Sequence, residues 1–72
     1  MSMVDAAAIE PTPEALVVSL GNRIVRVPWE RCSPRLAQAS TAQRLTAELS
    51  PGGYGINWPL LHEDLSIASL LR

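Results

Sequence analysis

Leu16-Val17-Val18-Ser19-Leu20-Gly21-Asn22-Arg23-Ile24-Val25-Arg26-Val27 reads as two apolar runs separated by a two-residue loop. Gly first in such a loop suits a tight primed turn, where positive φ carries no Cβ penalty, so the stretch predicts a β-hairpin. Centring the loop on Gly21-Asn22 fixes the register: Leu20 faces Arg23, Val18 faces Val25 and Leu16 faces Val27 on one side of the pleat. Val17 with Arg26, and Ser19 with Ile24, fall on the other. The first side is the expected core face; the second is mixed, as suits a surface covered by another element or another subunit.

Upstream, Val4 to Ile9 is a candidate short strand, and Pro11 and Pro13 mark a break or a sheet edge because proline has no backbone donor. Residues 1–13 are therefore read as an N-terminal segment carrying a short edge strand, and residues 14–72 as a single α+β domain. Pro28 ends the hairpin, and Trp29 to Ser33 shows no clean period. Pro34 can open a single helical turn over Arg35 to Ala39. Ser40-Thr41-Ala42-Gln43 is a capping box, which predicts a short helix from there. Pro51-Gly52-Gly53 then separates Leu45–Ser50 from Tyr54–Trp58, a second hairpin. Tyr54, Ile56 and Trp58 share one strand face and are expected in the core, joined by Trp29. Ile67, Leu70 and Leu71 recur at helical spacing, capped by Ser66 or Asp64, with Glu63 and Asp64 near the helix start. The fold expected is α+β: a small antiparallel sheet of two hairpins, with an additional N-terminal strand, and two or three short helices.

A 72-residue chain has room for one domain and a modest core, and with one cysteine it has no internal disulfide. Oligomerisation is the remaining common source of stability, so a homo-oligomer is expected. The first ten residues make a poor secretory signal, and no apolar run approaches the length of a bilayer span, so a cytoplasmic location with no membrane contact is expected. Lys plus Arg number 6 against 7 Asp plus Glu, and all the basic residues are arginines. That balance excludes a general electrostatic attraction to nucleic acid, although Arg23, Arg26, Arg31, Arg35 and Arg44 are close enough in sequence to form a local patch.

Gly53-Tyr54-Gly55-Ile56-Asn57-Trp58-Pro59, followed by Leu61, Glu63-Asp64-Leu65-Ser66 and Leu70-Leu71, resembles the C-terminal signature of the bacterial domain-of-unknown-function family 2442. The Gly21-Asn22-Arg23 turn, Val27-Pro28 and Pro34-Arg35-Leu36 with Ala39 extend that resemblance to roughly Leu16 through Leu71. Asn57 stands where the family often has histidine, and His62 where it often has aspartate. The resemblance implies a small α+β fold and no defined chemistry. It also implies an accessory protein, some members being encoded beside another small protein in an arrangement like that of toxin–antitoxin pairs.

The chemical constellations are weak. His62-Glu63-Asp64 contains three ligating side chain types, but consecutive residues do not normally converge on one ion. Ser40 or Ser66 with His62 and Asp64 lacks a nucleophile elbow. Cys32 would need a lowered pKa from Arg31, Arg35 or a helix start to act as a nucleophile. Gly52, Gly53 and Gly55 lead into a strand, unlike a phosphate loop, which leads into a helix. No catalytic, cofactor or metal residues are assigned, and the chain is not expected to be an enzyme. The reading is a non-catalytic bacterial protein-interaction module, an accessory or antitoxin-like member of a two-gene pair, acting through Val17, Ile24, Arg26 and Arg35. The alternative is a sequence-specific nucleic-acid-binding autoregulator using the arginines from Arg23 to Arg44, with a small enzyme third.

Overall fold

The structure, a computed structural model, describes residues 5–71. Its first sheet has the order β1-β2-β3, built from Ala8–Pro11, Ala15–Ser19 and Ile24–Pro28, all antiparallel. The hairpin register is the expected one: Leu16 pairs with Val27, Val17 with Arg26, Val18 with Val25 and Ser19 with Ile24. Leu16, Val18 and Val27 are buried, so alternation along the strands selects the core face as the sequence predicts. The turn differs from expectation. Leu20 N–H donates to Arg23 O at 2.7 Å, yet Gly21 does not have a positive φ, so the loop closes without the primed geometry.

The N-terminal strand lies later than Val4–Ile9: Val4 is outside the described residues, and the pairing runs from Ala8↔Ser19 to Pro11↔Leu16. The backbone hydrogen bonds Thr12 N–H to Ala15 O and Leu20 N–H to Arg23 O set the alternation of the two ladders. Ile9 and Pro11 in β1, and Ile24, Arg26 and Pro28 in β3, then direct their main-chain groups away from β2. Both strand prolines thus occupy edge positions where the missing N–H interrupts no ladder bond.

Three short helices follow: α1 (Trp29–Cys32), α2 (Pro34–Ala37) and α3 (Thr41–Arg44). The first has no apolar period to reveal it and forms directly off the strand end at Pro28. The Ser33 hydroxyl accepts from Leu36 N–H to cap α2, with Pro34 at the first helical position. The Ser40–Gln43 capping box is complete in both directions, at 3.0 and 3.1 Å.

The second sheet has the order β4-β5-β6: Glu48–Leu49, Gly55–Trp58 and Glu63–Ser66. The expected second hairpin is present as β4 and β5. Glu63 and Asp64, expected beside a helix start, instead lie in β6, because the single 3₁₀ turn over Pro59–Leu61 reverses the chain and lays it back along β5. His62, in left-handed conformation at φ 51°, completes that reversal. Ser66 caps the final helix α4 (Ile67–Leu70) by accepting from Ser69 N–H.

Tyr54 departs from the expected strand face. It precedes β5, after two glycines with positive φ, and is 58% exposed, whereas Ile56 and Trp58 are buried. The sheets are tied where Ala6 N–H donates to Gly53 O at 2.6 Å. Gly53 has φ 75°, and a Cβ there would collide with the Ala6 carbonyl oxygen, so both conformation and contact demand glycine. Leu16, Val18, Trp29, Leu36, Ile56, Trp58, Ile67 and Leu70 form one core spanning both sheets and the helices.

Candidate functional site: the outer face and edge of the first sheet

The core face of the first sheet is committed to packing, which leaves its reverse face and the β3 edge as presented surface. There the ladders align Glu10, Val17 and Arg26 in one cross-strand row and Ala8, Ser19 and Ile24 in the next. Val17 is half-buried between an exposed carboxylate and an exposed guanidinium, and Ile24 is 70% exposed. A shallow depression of about 520 Å³ adjoins Ile24, lined by Ala7, Ser19, Leu20 and the Gly21–Arg23 loop. Val17, Ile24 and Arg26 therefore lie together on one face. Arg35 does not join them: it stands on α2, its Nε 3.5 Å from Glu63 Oε1 and its Nη1 donating to Leu61 O.

Nor do the arginines form one patch. Arg44 is an internal scaffold. Its Nε donates to Leu36 O at 2.9 Å, beside the Ala39 N–H that also reaches that carbonyl, and its Nη2 donates to Ala37 O at 2.8 Å, so it binds the carbonyl end of α2. Its guanidinium also lies over the Trp29 ring, and its own carbonyl accepts from Trp58 Nε1 at 3.2 Å. Arg23, Arg26 and Arg31 are exposed and have no ion-pair partner among the described residues. Sequence spacing alone carries no signal for this division of labour, since the carbonyls that hold Arg44 belong to a different helix.

Cys32 ends α1, with its thiol against the carbonyls of Pro28 at 3.6 Å and Val27 at 4.0 Å. Burial pushes its pKa up to about 11; nearby Arg44 lowers it only in part, and Glu30 raises it further. The activation by Arg31, Arg35 or a helix start that a nucleophile would require is absent, and the thiol stays protonated near neutral pH. His62 is exposed at the reversal before β6. Among the described residues, no three His, Cys, Asp or Glu side chains converge as a metal site. Among the described residues, no helix is long and apolar enough to cross a membrane.

No curated protein matches the chain. A crystal structure of a protein of unknown function from Rhodospirillum rubrum ATCC 11170 is similar at TM-score 0.83 and 29% identity, covering 97% of this chain and 87% of that one. That likeness extends the shared architecture over nearly the whole molecule. The family model described as Protein of unknown function (DUF2442) matches residues 6–72, which takes in the β1 strand as well as both hairpins, and the chain belongs to that family.

Proposed function

We propose that this protein is a non-catalytic interaction module that extends its first sheet by short strand addition at β3, with a second copy or with a small protein encoded beside it. The observation that carries this reading is the uncovered β3 edge: Ile24 and Arg26 direct both N–H and C=O outward, and Ile24 exposes a large apolar side chain beside them. An antiparallel pairing of two copies about Val25 would set Ile24 of one opposite Arg26 of the other. The guanidiniums would then be staggered, and apolar side chains would meet the arginine stems. An accessory or antitoxin-like role in a two-gene pair, in the cytoplasm of a bacterium, is the biological setting that fits such a module.

Arg44 and Arg35 are held by internal contacts, so the five arginines of the Arg23–Arg44 series do not present one continuous nucleic-acid footprint, which favours the protein-interaction reading. Light scattering over a concentration series, with and without co-expression of the neighbouring gene product, tests it. Association that Ile24→Lys abolishes while the chain keeps the circular dichroism of the parent, with an unfolding midpoint that no longer depends on protein concentration, is expected. A chain that remains monomeric and does not bind its neighbour overturns the reading.

A further inference from the structure

The second sheet has an open edge of its own. In the order β4-β5-β6, β4 is two residues long, so β6 is the longer free strand. Ile67 N–H donates to Tyr54 O at 2.9 Å, which fixes the phase of the ladder between β5 and β6. Ile56↔Leu65 and Trp58↔Glu63 are then the hydrogen-bonded pairs, and Asp64 turns both its N–H and its C=O away from β5. Ser66 directs its N–H the same way before the chain enters α4. Asp64 is exposed and has no ion-pair partner among the described residues. An unpaired strand edge carrying a free carboxylate is thus presented to a strand of complementary charge.

The β3 edge is that complement. Its outward main-chain groups belong to Ile24 and Arg26, and both side chains lie on the outer face of the first sheet. Asp64 and Ser66 likewise lie on the outer face of the second, because Ile56 and Trp58, and with them Leu65, face the core. Setting the two edges antiparallel with Arg26 opposite Asp64 therefore joins outer face to outer face and core face to core face. In that register Arg26 and Asp64 exchange two main-chain hydrogen bonds and set opposite charges across the seam. The half-buried Val25 and Leu65 meet on the core side, and Ile24 lies against Ser66. Like edges pair less well. Two β3 strands meeting about Val25 bring both Arg26 guanidiniums diagonally together where neither strand carries a carboxylate, and two β6 strands bring their Asp64 carboxylates together where neither carries a cation. We infer that the partner of the β3 edge is the β6 edge of a second copy, joined antiparallel with Arg26 opposite Asp64 into one sheet of order β1-β2-β3-β6-β5-β4. Resting on the β3 edge as the interaction surface, this pairing names the strand that fills it, and the contact is head-to-tail because the two copies contribute different edges.

Light scattering of the full chain over a concentration series, repeated with charge variants, tests the pairing. Self-association is expected in the parent, weakened about tenfold in Arg26→Glu and in Asp64→Arg, each of which sets like charges opposite one another. Mixing the two variants in equal amounts is expected to restore association, because Arg26 of one then meets Asp64 of the other. Both positions are exposed, and rescue in the mixture shows that neither variant lost association by misfolding. A parent that associates through Ile24 while Asp64→Arg associates equally well overturns this inference and leaves the β3 edge as the interaction surface. So does a mixture that fails to associate, or a parent that stays monomeric yet binds the neighbouring gene product. A monomeric parent that binds nothing overturns both.

Discussion

The guanidinium carbon of Arg44 lies 5.6 Å from the centre of the Trp29 ring, and the same side chain closes the carbonyl end of α2. Trp29 in turn meets Trp58 edge to face, with centroids 6.2 Å apart and planes at 78°. Helix, tryptophan pair and cation therefore form one unit, and lysine cannot replace arginine within it because an ammonium lacks the planar fork. Arg44→Lys should lower stability by about 2 kcal/mol, the sum of lost carbonyl bonds and weaker ring contact, read as a shift in urea midpoint with unchanged slope.

Gly53 and Gly21 offer a paired comparison. Alanine at 53 needs a left-handed backbone and collides with Ala6, whereas a Cβ at 21 meets nothing within 4 Å. Gly53→Ala should cost about 2 kcal/mol or more and loosen the N-terminal strand, seen as faster amide exchange at Ala6 and Ala7. Gly21→Ala should fall within about 0.5 kcal/mol of the parent.

The reciprocal cap on α3 predicts coupling between its two ends. Ser40→Ala should cost about 1 kcal/mol, and Gln43→Ala somewhat less. The double variant should cost less than the sum, measurable by a thermodynamic cycle in chemical denaturation.

Cys32 makes stability pH-dependent on the alkaline side. Its folded pKa, about 11, exceeds the ordinary 9.0, so the folded state disfavours the thiolate. The contribution is fully present below pH 9 and is lost as pH rises toward 11. Thermal unfolding of the parent should therefore fall more steeply across that window than that of Cys32→Ala. Alkylation by iodoacetamide at neutral pH should be slow until the chain unfolds.

The first hairpin was legible because strand alternation and a two-residue loop are local, and the Ser40 and Ser66 caps were legible for the same reason. Strand β6 was not: Glu63-Asp64-Leu65-Ser66 has the composition of a helix start, and only its pairing with β5 makes it extended. Tyr54 stands off the pleat because it still belongs to the turn, and the alternation of β5 begins only at Gly55. Helix α1 is one turn long and shows no period. On the outer surfaces, Val17, Ile24 and Arg26 followed from register alone, whereas the arrangement of Asn57 and Asp64 required a strand that the sequence concealed.

The prolines at the two outer edges of the first sheet set a limit on growth. A sheet with two open edges can hand a pairing from copy to copy and become a filament. Here β1 offers one outward N–H, that of Ile9, since Pro11 contributes only a carbonyl, and Pro28 confines pairing on β3 to Ile24 and Arg26. A copy engaged through β3 keeps, in this sheet, only the poorer β1 edge with which to recruit another. Two imino acids thus bias growth of the first sheet toward a pair and away from a filament.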